Sequence, residues 1–145
     1  MAQQSTYDDA NLILRLYEIR REERMRKARA WFGKSYKVRT MEEHLKLCPP
    51  GSDEDASFRM ITSYWEMAAS FVTSGVLSED LFLQSGRELL FVWERIRDIV
   101  PAARQAYKSA NVHRHMETVA NAFIAWDNKH APGAYEAFSA RVRGA

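Results

Sequence analysis

The sequence predicts an all-α protein, a helical bundle of about five to seven helices built around a central apolar helix. Three observations predict it. Apolar residues recur at helical spacing through most of the chain, and strand-like alternation is nearly absent. Only 4 Pro and 6 Gly punctuate the 145 residues, most of them between the helical patterns. The hydrophobic share of 46% and charged share of 28% are those of an ordinary folded domain. A chain of this length predicts one domain over 1–145, with residues 1–6 and 144–145 as disordered tails.

The first helix starts at Tyr7 to Asp9, where acidic residues meet the positive end of the helix dipole. The pattern carries it to Phe32, with Gly33 as the stop. Leu14, Met25 and Phe32 fall on one line of the helical wheel, flanked by Ile13, Tyr17, Ala28 and Trp31. Leu12, Leu16 and Ile19 make a second apolar stripe on nearly the opposite side. One-sided burial cannot cover both stripes. The second one is therefore a candidate subunit interface.

Thr40, with Glu43 three residues on, reads as a capping box that opens a short helix. Pro49, Pro50 and Gly51 enforce the loop after it. Ser52 or Asp53 then caps a long helix from Glu54 to Ser74, closed by Gly75. Ser78 caps the next, which breaks near Ser85-Gly86 and continues through "RELLFVWERIRDIV". Pro101 marks a restart, a further helix covers about 111–127, and a short one ends the chain.

The long helix holds the main candidate site. Phe58, Ile61, Trp65, Ala68, Ala69 and Val72 form its packing arc, widened by Met60, Tyr64, Met67 and Phe71. Arg59, Thr62, Ser63, Glu66, Ser70 and Thr73 share a polar band about 120° wide, with Glu66 near its middle. Successive side chains point about 100° apart, so Glu66 leaves the core that Trp65 enters. The bland expectation is that this band is solvated. The sharper one is a small-molecule or peptide pocket lined by Trp31, Tyr64, Trp65 and Trp93, with Glu66 or Arg59 at its mouth.

Other chemistries lack their signatures. His113 and Glu117 are four apart, as two ligands of one ion could be, but the ligand count falls short of four. His115 faces elsewhere, and Asp127 with His130 only imitates a di-iron motif. No metal or cofactor is expected. The single cysteine, Cys48, carries no thiol-enzyme signature and leaves no intramolecular disulfide to form. No Gly-x-Ser-x-Gly and no phosphate-binding glycine loop occurs, so no enzymatic activity is expected.

"RREERMRKAR", Arg20 to Arg29, carries six basic residues and two acidic ones. Glu22 with Arg26 and Glu23 with Lys27 suit a salt-bridged face better than a nucleic-acid strip. The net charge of +2 offers no steering of polyanions, and nucleic acid is not an expected partner. Phe91 falls on the polar side of its helix, among Arg87, Arg95 and Asp98. No run reaches the length of a membrane span and no signal peptide is recognisable, which places the expected location in the cytoplasm.

Two stretches, "LILRLYEIRREERMRKARAWF" and "SYWEMAASFVTSGVLSEDLFLQSGRELLFVWERI", resemble a group of uncharacterised bacterial helical proteins gathered as a domain of unknown function. The resemblance extends over the runs Leu12 to Leu47 and Ile61 to Arg104. It implies an all-helical domain and assigns no catalytic residue. Many members place a membrane-spanning segment ahead of this domain, and none is recognised here. The function expected from these readings is contact with another protein or with a second copy of the chain.

Overall fold

The computed structural model describes residues 4–144. Among them it forms nine helices and no strand: α1 (Tyr7–Arg20), α2 (Glu23–Ser35), α3 (Met41–Leu47), α4 (Asp53–Thr73), α5 (Glu79–Ser85), α6 (Arg87–Ile96), α7 (Val100–Tyr107), α8 (Arg114–His130) and α9 (Ala134–Arg143). The all-α class is as expected. The number of helices exceeds the expected five to seven because the chain is cut at corners that a wheel does not show.

The first corner divides the expected Tyr7–Phe32 helix. Arg21 closes α1, and Glu22 is extended (φ −60, ψ 145) as the N-cap of α2. Its carboxylate accepts from the Met25 N–H at 3.2 Å, so it does not serve as the helical partner of Arg26. The Arg29 guanidinium donates to the Arg20 carbonyl left open at the corner (3.3 Å). The turn re-aims the chain. Leu16 from α1 and Met25, Ala28 and Phe32 from α2 then all reach the one core. The corner thereby buries part of each stripe and leaves Leu14, Tyr17 and Ile19 outside.

Most other boundaries are those the sequence marks. Thr40, Ser52 and Ser78 each accept the N–H three residues on, from Glu43, Asp55 and Leu81. Gly75 follows α4 with φ +84, a left-handed backbone that suits glycine. Pro101 sits in the first turn of α7, where its missing N–H costs nothing. Residues 1–3 and 145 of the expected tails lie outside the described residues. Thr6 and Gly144, also placed in those tails, cap α1 and α9.

Helix α4 packs against α2, α5, α6 and α8, while α9 packs on α6 and α8. Of its expected packing arc, Phe58, Ile61, Tyr64, Trp65, Ala68, Ala69 and Val72 are buried and Phe71 is partly so, while Met60 and Met67, at the edges of the arc, are exposed. Helix α1 is attached to α2 and α5. Asp9 holds its start: one carboxylate oxygen accepts from the Thr6 N–H (2.7 Å), the other from the Ser78 N–H (2.8 Å). The Asp9 carboxyl is held below its ordinary range, first by the Ser78 bond and then by the Thr6 bond. The Tyr64 hydroxyl donates to the Leu16 carbonyl, pinning the far half of α1 to α4.

No helix among the described residues is long and apolar enough to cross a membrane.

Candidate functional site

Glu66 is half-buried and has partners besides water. Its two carboxylate oxygens accept the backbone N–H groups of His115 (3.1 Å) and Met116 (2.8 Å), in the first turn of α8. Helix α8 needs this. Its N-cap residue, His113, is left-handed (φ 54) and makes no side-chain cap bond. A carboxylate from α4 therefore satisfies two of the four N–H groups that every helix start leaves open, and it meets the positive end of the dipole. The cap arrives from 49 and 50 residues away in sequence.

The rest of the polar band divides. Thr62 is buried and donates to the Phe58 carbonyl at 2.9 Å. Thr73 Oγ1 hydrogen-bonds His115 Nδ1 at 2.6 Å. Arg59 pairs with Asp55 at 3.3 Å on an open surface beside Glu66 and His113.

The four aromatic rings expected around one pocket occupy different surroundings. Trp31 packs edge-on against Phe32 and Tyr36, at the end of α2. Tyr64 and Trp65 meet edge to face at 4.8 Å. Trp93 is buried on α6. Only Trp65 lines a groove of note. That groove lies between α1, α4 and α5, has a volume of about 330 Å³, and is walled by Ile13, Leu14, Leu16, Tyr17, Phe82 and Gly86, with Arg20 and Ser85. Phe82 lies directly over Gly86: a Cβ there would come within 2.6 Å of its ring.

The exposed apolar surface of α1 begins at the lip of this groove. Tyr7 is 82% exposed, Leu14 58% and Tyr17 48%. Of the stripe expected at an interface, Leu16 is inside the core at 5% exposure, Leu12 is half-buried against it, and Ile19 is 39% exposed. The corner after α1 causes this exchange. It turns the Leu16 side inward and leaves Leu14 and Tyr17 outside.

The remaining candidates have structural partners. Burial, then the nearby Arg104, pushes the His113 imidazole down to about 4. Arg104, not His113, pairs with Glu117 (2.7 Å). Asp127 is buried and accepts from Arg87 at 2.5 Å, and His130 Nδ1 bonds the Trp126 carbonyl at 2.9 Å. No group of three or more His, Cys, Asp or Glu among the described residues is arranged to hold a metal ion. Cys48 is buried, which pushes its thiol up to about 11.

The basic run does not act as one strip. Glu23 and Lys27 pair at 3.2 Å as the spacing predicts. Arg29 grips Glu88 with two bonds, 2.8 and 2.6 Å, across to α6. Arg20 stacks on the rings of Tyr17 and Trp65, and Arg21 on Tyr17. Phe91 is half-buried against Phe32 rather than stranded among charges, and Arg95 lies over its ring.

One buried cluster, and an exposed ion pair beside it, had no signal in the spacing. Glu94 is 1% exposed and accepts from Tyr135 (2.9 Å) and Ser139 (2.6 Å), holding α9 on α6. Arg143 adds bonds to the Glu94 carbonyl (3.0 Å) and to Asp98 (2.7 Å). Sequence could have suggested them only as charges at apolar positions of amphipathic helices.

Fold and site together define an all-helical protein whose buried charges fasten helices to one another. The chain belongs to the family described as Domain of unknown function (DUF4760), whose model matches residues 5–126. The match covers α1 to α7 and most of α8, and α9 lies beyond it. No curated protein and no solved structure matches the chain.

Proposed function

We propose that this is a non-enzymatic interaction domain that pairs with a second copy of itself through α1. One observation carries the reading: Tyr7, Leu14 and Tyr17 are exposed on one side of a helix whose other side is docked. Exposed aromatic and leucine side chains grouped in this way suit a protein interface better than open water.

The charges of α1 support a second copy as the occupant. Its N-terminal half carries Asp8 and Asp9, and its C-terminal half carries Arg15, Glu18 and Arg20 with Arg21 as the C-cap, so one half is net acidic and the other net basic. An antiparallel pair with two-fold symmetry sets each half against its opposite. Centred on Leu14, such a pair places Leu14 on its equivalent and Tyr7 against Arg21 of the second copy. One helix face is less than the roughly 800 Å² per partner of a standard interface, so the dimer is a weak one. In this reading α4 is the central helix of each bundle and α1 the element it presents. Sedimentation equilibrium across the micromolar range tests it. A reversible monomer–dimer equilibrium that Leu14→Glu abolishes is the expected result. A strict monomer in the wild type contradicts it.

A further inference from the structure

The cleft where the α2–α3 loop meets α6 and the end of α9 gathers positive charge. Lys37 and Arg39 line it from the loop, Arg95 from α6, and Arg141 and Arg143 from α9. Two carboxylates share the cleft, and both are engaged. Asp98 pairs with Arg143 at 2.7 Å. Buried Glu94 accepts from Tyr135 and Ser139 and lies 3.6 Å from Arg97. Lys37, Arg39, Arg95 and Arg141 make no ion pair among the described residues. Four like charges around one recess repel one another, and an anion between them relieves that repulsion.

Two of the four are held in place by main chain. Arg95 donates through Nε to the Val142 carbonyl (2.9 Å) and through Nη1 to those of Gly33 (3.3 Å) and Tyr36 (2.8 Å). Arg39 donates through Nη2 to the Arg143 carbonyl (2.6 Å). These bonds fix both guanidinium planes and leave donors over. Arg95 Nη2 has no partner among the described residues and is not sealed from solvent. Carbonyls carry no formal charge, so they orient Arg95 without neutralising it. Burial pulls its guanidinium below the ordinary range and no carboxylate offsets this, whereas Glu88 raises Arg29.

Size narrows the occupant. The cavity holds about 140 Å³. At about 30 Å³ per water-sized atom that is room for about five heavy atoms, well below the roughly 300 Å³ at which drug-sized sites begin. We infer that the cleft binds a phosphate group, free or on a small phosphomonoester, with Arg39 and Arg95 donating to its oxygens and Lys37 and Arg141 balancing its charge. A phosphate brings close to two negative charges and three strong acceptor oxygens. A carboxylate brings one charge and two oxygens, too little for four cations. Arg141 lies beyond residues 5–126, so the site joins the family domain to α9. None of its residues belongs to α1, so it is independent of the proposed pairing.

The test is inorganic phosphate titrated into the full chain labelled with 15N and 13C, at constant ionic strength and about pH 7.5, where phosphate is mostly dianionic. The arginine Nε–H resonances are followed, and Arg95 is assigned through its side-chain carbons. Phosphate is expected to shift the Arg95 resonance saturably, with a Kd of about 1 mM or below. Lys37→Gln with Arg141→Gln, both at exposed positions, is expected to weaken phosphate about tenfold. The control Arg24→Gln leaves binding unchanged. Acetate is expected to bind about tenfold more weakly than phosphate. Glycerol phosphate separates the two sources: tighter binding than inorganic phosphate assigns the ester, weaker binding the free anion. The inference is overturned if phosphate up to about 20 mM gives no saturable shift of Arg95. It is equally overturned if acetate, or phosphate on the double variant, binds as tightly as phosphate on the wild type.

Discussion

Replacing Glu66 with alanine removes the cap that α4 gives to α8. Met116 is fully buried in the native packing, so water replaces the bond to its N–H poorly. Leaving that donor unpaired costs about 1–3 kcal/mol. The His115 N–H is only half-buried, so water replaces most of its bond. Loss of a carboxylate at the positive end of the helix adds about 0.3–1 kcal/mol. The sum for Glu66→Ala is a loss of about 1.3–4 kcal/mol, centred near 2.5. Glu66→Gln keeps one oxygen for Met116 and loses the charge, and about 1 kcal/mol is expected. A side chain in a solvated band would give no more than about 0.5 kcal/mol. Urea unfolding separates these cases: at a slope of about 2 kcal/mol per M, the alanine variant unfolds about 1 M earlier. Native-state hydrogen exchange should show His115 and Met116 exchanging faster while the core of α4 stays protected. An alanine variant within about 0.5 kcal/mol of wild type would refute the capping argument.

The Phe82 ring leaves no room at Gly86, where an added Cβ would lie 2.6 Å from it. Phe82 is 3% exposed and packs edge-on to Phe123, so it cannot easily give way. Gly86→Ala is expected to cost about 1–3 kcal/mol in the same urea assay, and a neutral result would show that the ring moves freely. His113 sets a pH dependence. Its imidazole takes a proton near 6.5 when unfolded but only near 4 when folded. Its contribution is therefore fully present above about pH 6.5 and declines as the pH falls toward 4, because the unfolded chain binds the proton first. His113→Asn, which tolerates the left-handed backbone, should flatten the change in urea midpoint between pH 7 and pH 5. An unchanged slope would assign that pH dependence to other groups.

What was legible in the sequence was local. Thr40, Ser52 and Ser78 announce helix starts because the cap bond reaches only three residues along the chain. Gly75 and Pro101 announce corners for opposite reasons: glycine tolerates the left-handed backbone that ends a helix, and proline fixes φ and lacks an N–H. The α1–α2 corner carries no such residue, and Glu22 is a poor local predictor of a cap. Its signal was indirect: two apolar stripes on opposite sides of one supposed helix, which a single straight rod cannot bury. Read that way, the stripes could have located the corner between Ile19 and Met25. The role of Glu66 could not be read at all, because its acceptor sites meet α8 only after α4 and α8 have packed. A hint lay at the other end, where His113 stands in the place of a capping Ser, Thr, Asp or Asn. The same limit hid the Arg29–Glu88 and Glu94–Tyr135 contacts, whose partners are 59 and 41 residues apart.

The measurement closest to the central claim is disulfide trapping at Leu14. The native thiol, Cys48, is buried and resists deprotonation, and Cys48→Ser removes it as a competitor. In that background Leu14→Cys places two sulfurs on the two-fold axis of the proposed pair, at the Cβ separation of about 4 Å that a disulfide needs. Mild oxidation is expected to give a covalent dimer at Leu14→Cys and little at Arg24→Cys, on the neighbouring helix. A chain that stays monomeric at position 14, or that cross-links equally at both positions, would contradict α1 as the pairing surface.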